Sequence, residues 1–186
     1  MEQRLDKTMA VLERTPGALD AMLRGLPEEW TRSNEGEGAD GAETWSAFDV
    51  VVHLINCEKT DWVPRARTIL DSKGGEVREF PPFDRWGEIR ESRTKPIGEV
   101  LDTFARLRAE NLAKVRTWQL GPEQLAMRGR HPALGEVTLS ELMATWAAHD
   151  LNHLHQISRV MAHQYREAVG PWKKFMGVMV CEGHGA

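Results

Sequence analysis

Cysteine is scarce in this chain: its 186 residues hold two, Cys57 and Cys181, which form no C-x-x-C pair. That leaves out a disulfide framework and a paired-cysteine redox or zinc motif. No apolar run approaches the about 18 residues that a membrane-spanning helix needs, so no membrane partner is expected. The opening MEQRLDKTMA carries mixed charge and no apolar signal core, so no export signal is read and a reducing cytoplasm is the expected location. Positive charge is not in excess either. Lys and Arg number 24 against 28 Asp and Glu, a net charge of -4, which lacks the basic footprint that a phosphate backbone demands. Nucleic acid is therefore not an expected partner. Apolar residues at 41% and charged residues at 28% describe an ordinary globular chain, and one domain over residues 1–186 can fill that length.

Tryptophan and histidine are the plentiful types, with seven of each beside a single tyrosine. Trp45, Trp62, Trp118 and Trp146 fall in or at the ends of periodic segments. There a large ring either fills a core or offers a stacking platform for a base or sugar.

Apolar periodicity marks four helical segments. Leu5, Met9 and Leu12 begin the first, which restarts at Thr15-Pro16, read as an N-cap with proline behind it, and continues through Leu19, Leu23 and Leu26. The polar, glycine-rich run from Thr31 to Glu43 reads as loop. Ser46 opens the second helix, with Asp49 completing a capping box. Phe48, Val52, Ile55, Trp62, Ala66 and Ile69 carry its buried face to Leu70, and Pro64 kinks it. Lys73 to Lys95 reads as a long connection with a turn of helix near Trp86. The third helix spans Ile97 to Trp118 and stops at Gly121-Pro122. Arg130 to Leu139 reads as turn-rich chain leading to a fourth helix from Leu139 to Tyr165, capped by Thr138 or Ser140 and closed by Gly170-Pro171. No strand alternation stands out. The expected fold is all-α, a four-helix bundle with long connecting loops.

The stretch HDLNHLHQ, which opens at His149, puts three histidines inside an apolar-faced helix. Residues four apart on a helix lie about 6 Å along the axis and roughly 40° around it, so His149 and His153 share a face and can point at one ion. Two imidazoles make half a zinc site. His53, set among valines in VVVHLIN, is the best candidate partner. Its stripe reads Ser46, Asp49, His53, Asn56, Cys57 and Thr60, and the facing stripe reads Thr145, His149, Asn152, His153 and Gln156. Each stripe could equally face solvent. If they face each other, three histidines converge, with Asn56, Asn152 and Gln156 near enough to orient ligands or substrate. Cys57, one turn past His53, is a fourth ligand, a reactive thiol or a small buried residue. His155 turns away, His163 lies about 15 Å further along the axis, and His131 and His184 sit on no regular element. HDLNH approaches H-E-x-x-H with Asp150 in the acid's place. It lacks the glycine and later histidine of the longer protease motifs. Asp61 and Arg65, four apart, are expected to pair along the helix with no catalytic role. The Arg78 to Arg90 loop, with Phe80, Phe83 and Trp86, either covers the site or packs outside the bundle.

Three stretches taken together resemble the DinB-like superfamily of metal-binding four-helix bundles. TWSAFDVVVHLINCEKTDW has the Trp-Ser start, the mid-helix histidine and the following acid; HPALGEVTLSELMATW leads in to the last helix; HDLNHLHQISRVMAHQY carries the H-x-x-x-H pair followed by Gln156 and Arg159. The resemblance runs from Thr44 to Tyr165. It implies that His53, His149 and His153 ligate a divalent ion, zinc or nickel, with water in the remaining positions, and that the bundle is a homodimer. It also implies a small-molecule substrate and a thiol S-transferase type of chemistry, using a low-molecular-weight thiol such as bacillithiol or mycothiol. A dicationic three-imidazole centre suits that chemistry, because it lowers the pKa of a bound thiol or water. A metal-dependent hydrolase and a non-catalytic metal-binding or stress-response protein remain open alternatives.

Overall fold

Leu5, Met9 and Leu12 wind the chain into α1 (Leu5–Leu12), and Pro16 restarts it as α2 (Thr15–Leu23). The computed structural model describes residues 5–38, 41, 43–72, 75–84 and 87–180. Thr15 is not the N-cap that its place before proline predicts. Arg14 stands there, and the Thr15 hydroxyl instead donates to Asp150 Oδ2 at 2.6 Å. Burial explains the exchange, since Asp150 is fully enclosed and its oxygens need donors. A short α3 (Glu28–Arg32) precedes the loop to Ser46.

The second segment begins with the expected capping box. The Asp49 backbone N–H donates to Ser46 Oγ at 3.2 Å, and the Ser46 N–H donates to Asp49 Oδ2 at 3.0 Å. This helix, α4 (Ala47–Thr60), is buried on most of its circumference because it packs on the third and fourth segments at once. It does not run on to Leu70. The chain bends at Asp61 (φ -106°, ψ -78°) and resumes as α5 (Trp62–Leu70). Pro64 accounts for the position of the bend, since its ring collides with the carbonyl four residues earlier and it has no N–H to donate.

Next come α6 (Gly87–Ser92), α7 (Ile97–Thr117) and α8 (Pro122–Leu125). Trp86, where a helical turn was expected, lies outside the described residues, and α6 starts directly after it. The segment read as turn-rich chain forms a hairpin instead: β1 (Arg128–His131) pairs antiparallel with β2 (Gly135–Thr138), Arg128 opposite Thr138 and His131 opposite Gly135. Its strands escape a hydropathy reading because Gly129 is the only buried residue in them, and glycine has no side chain to alternate. Thr138 then caps α9 (Leu139–His163), with Glu141 completing the box. A 3₁₀ turn (Gly170–Phe175) leads to α10 (Gly177–Val180), which folds back on α9.

In the bundle, α4 packs on α7 and α9, α1 on α9, and α2 on α7. None of the described helices is long and apolar enough to cross a membrane. Two apolar clusters fill the interior, one around Trp62, Met143 and Trp146, the other around Phe48, Val51 and Phe104. A charged layer separates them. The Arg108 guanidinium lies 4.9 Å from the Phe104 ring and 5.3 Å from the Trp146 ring. It grips Asp150 with two bonds of 2.5 and 2.9 Å, Glu58 at 3.0 Å, and the Leu12 carbonyl at 3.0 Å. The Trp146 indole N–H donates to the same Glu58 oxygen, Oε1, at 3.0 Å, and Asn111 donates to Glu58 Oε2 at 2.9 Å. Two carboxylates share one guanidinium, and burial pushes the Glu58 carboxyl above its ordinary value against the pull of Arg108. The layer ties α1, α2, α4, α7 and α9 together one residue away from Cys57 and His149.

A candidate metal centre between two helices

Packing α4 against α9 turns the two polar stripes toward each other. His149 Nε2 stands 3.0 Å from His153 Nε2 and 3.3 Å from His53 Nε2, so the three expected side chains meet. Cys57 Sγ lies 3.5 Å from His53 Nε2. Donor atoms of His53, Cys57 and His149 all fall within 4.8 Å of one another, a grouping that could hold a metal ion. Two nitrogens bound to one tetrahedral zinc stand about 3.3 Å apart, so the imidazole spacings are those of ligands sharing an ion.

The surroundings fix the rings. Gln156 Oε1 is 2.7 Å from His153 Nδ1. An Nδ1–H donating there leaves the Nε2 lone pair for an ion, which is how such histidines are commonly oriented. The Trp45 ring covers His53 at 4.7 Å between centroids, Phe83 meets His53 edge-on at 5.9 Å, and Trp62 meets His149 at 5.0 Å. These contacts make Trp45 and Trp62 part of the site's wall as well as of the core. His53 and His153 are each only 5% exposed, and His149 is half-buried. Burial, with Asp61 and Glu58 nearby, pushes the Cys57 thiol well above its usual range.

The centre lies in the wall of a pocket of ≈ 1550 Å³. The loop before α6 covers part of it, with Phe80 and Phe83 among the lining side chains. That loop is held by the unexpected hairpin: the Phe80 N–H donates to the Arg130 carbonyl at 2.9 Å, and the Arg130 N–H donates to the Arg78 carbonyl at 2.8 Å. The Phe80 ring then lies over Gly129, where a Cβ would stand 2.5 Å from Phe80 Cε1. Asn56 serves the same loop rather than the site, donating to the Asp84 carbonyl at 2.7 Å. Asn152 and Gln156 do line the pocket.

Asp61 and Arg65 pair along the helix as expected, at 2.6 Å, but the pair is buried, at 7% and 9% exposed, and both residues line the pocket. Burial pushes the Asp61 carboxyl up to about 6 despite Arg65. Their place follows from the bend at Asp61, which turns the start of α5 inward. Asp150 resembles the acid of a protease helix only in sequence, because its carboxylate is spent on Arg108 and Thr15 behind the site. His131 sits at the end of β1, its Nδ1 accepting from the Ala133 and Leu134 N–H groups at 3.2 and 3.3 Å, on the pocket rim. His163 also lines the pocket, near Glu35 at 3.8 Å, while His155 is exposed. Cys181 and His184 lie outside the described residues.

The chain belongs to the DinB superfamily, whose family model matches residues 11–157. Among solved structures it is similar to YfiT from Bacillus subtilis, with a TM-score of 0.71, 22% identity and 90% of each chain covered. YfiT is described as a probable metal-dependent hydrolase with an unusual four-helix bundle topology. At that identity the likeness speaks for the fold. No curated protein sequence matches the chain.

Proposed function

We propose that the chain is a metal-dependent enzyme of the thiol S-transferase type, in which His53, His149 and His153 hold one divalent ion, zinc or nickel. One observation carries this reading: three imidazole nitrogens 3.0 and 3.3 Å apart open on a pocket of ≈ 1550 Å³. Pockets for a single drug-sized ligand span about 300–1,000 Å³, so this one has room for a low-molecular-weight thiol beside an electrophilic small molecule. A bound dication supplies a lowered pKa to a thiol or water next to it, and thiolate is the nucleophile of thiol transfer. The chain's own groups do the rest. Gln156 holds the His153 Nδ1 proton; Trp45, Trp62 and Phe83 keep water from the imidazoles; the Asp61 carboxyl on the pocket wall takes up a proton near neutral pH. The homodimer belongs to the same proposal.

A hydrolase is the second reading, and Asp61 favours it too, since a carboxyl that titrates at about 6 is a suitable base for water. The two are separated by turnover assays on metal-loaded protein against a panel of electrophiles and esters, with and without mycothiol or bacillithiol. Product that requires both thiol and metal supports the transferase. Turnover by metal-loaded protein without thiol means hydrolysis, and stoichiometric metal with no turnover on either panel means a metal-holding protein.

A further inference from the structure

The geometry points to Cys57 as a further donor of this centre: a thiolate that joins His53 and His149 around the ion, their donor atoms all within 4.8 Å of one another, and takes up a position an external thiol would need. The inference rests on the three-histidine reading above. A tetrahedral zinc with nitrogen at about 2.05 Å and sulfur at about 2.3 Å sets nitrogen and sulfur about 3.6 Å apart. Cys57 Sγ and His53 Nε2 are 3.5 Å apart, as the imidazole pairs are at 3.0 and 3.3 Å. The spacing in sequence agrees. His53 and Cys57 are four residues apart on α4, as His149 and His153 are on α9, so each helix presents two donors on one face. Cys57 is 1% exposed, yet it belongs to the pocket lining. It is therefore shielded from bulk solvent on a surface the ion shares.

When the ion binds, the Cys57 S–H bond gives way to a sulfur–metal bond, the proton passes to solvent, and no electron changes hands. A sulfur donor biases the site toward zinc over magnesium or manganese. It also makes Cys57 a competitor of any incoming thiol, a brake built into the proposed transfer reaction.

The test is to load metal-free protein with cobalt(II) and record its absorption, for wild type, Cys57→Ser and Cys181→Ser. The expected result is a near-ultraviolet sulfur-to-cobalt charge-transfer band in wild type and in Cys181→Ser. Cys57→Ser should lack that band while keeping the visible bands of bound cobalt. Should Cys57→Ser fail to fold, the Cys181→Ser spectrum still decides, because Cys57 is then the only thiol. Bound cobalt with no sulfur band in wild type would overturn Cys57 as a ligand and leave the three histidines standing. Failure of wild type to bind cobalt at all would overturn the histidine centre, and this inference with it.

Discussion

At the scale of single residues, the site's chemistry depends on how burial retunes ordinary side chains. Asp61 is the clearest case. Unfolded, its carboxyl loses its proton near 3.8; folded, burial holds the proton until about 6. Between those values the folded chain binds more protons than the unfolded one, so this group's contribution to stability falls as pH rises through that window. The full effect is about 3 kcal/mol. Urea denaturation of metal-free wild type and Asp61→Asn at pH 4 and pH 7 should show the variant gaining on wild type at the higher pH. A variant that loses ground at pH 7 would mean that Arg65 outweighs desolvation. The histidines were readable in sequence because i,i+4 spacing and an imidazole set among valines are local signals. Asp61 was not, because its burial comes from the bend at α5, which no spacing rule places.

At the scale of elements, the long helices were legible and the small ones were not. Periodicity and caps marked α4, α7 and α9, and both Ser46 and Thr138 cap as their sequences demand. The hairpin β1–β2 was missed because Gly129 is its only buried residue, and its other positions are exposed or half-buried. Yet that hairpin positions Phe80 on the pocket wall. Gly129→Ala would drive a methyl to within 2.5 Å of Phe80 Cε1 and 2.9 Å of Ile69 Cγ1. Overpacking of this kind costs about 1–3 kcal/mol, which thermal or urea denaturation will read. The Phe80 ring should shift with it, widening the mouth of the pocket. An unchanged stability would show that the loop yields freely and that the hairpin does not hold it.

At the scale of the whole molecule, Arg108 is the joint on which the helices register. It occupies a position in the apolar stripe of α7, between Phe104 and Leu112. A charge there is the one sequence signal that could have announced a buried ion network. By joining Glu58, next to Cys57, to Asp150, next to His149, it fixes the separation of the two ligand-bearing helices. Arg108→Met would leave two buried carboxylates without a cation, a loss of about 3–5 kcal/mol at pH 7. The loss should shrink at acid pH, where protonation relieves the uncompensated charge. A loss of under about 1 kcal/mol would mean that the network is not needed to hold the bundle.

The central claim is that α4 and α9 share one metal ion through His53, His149 and His153. It is tested most directly by plasma mass spectrometry of metal content on untagged wild type, His53→Ala and His153→Ala, with helicity followed by circular dichroism. The account predicts about one zinc or nickel per chain in wild type, as one tetrahedral site implies. Each variant should lose that metal while its helicity is preserved. A wild type that takes up no metal even after reconstitution, or a His53→Ala variant that keeps its full complement, would contradict it.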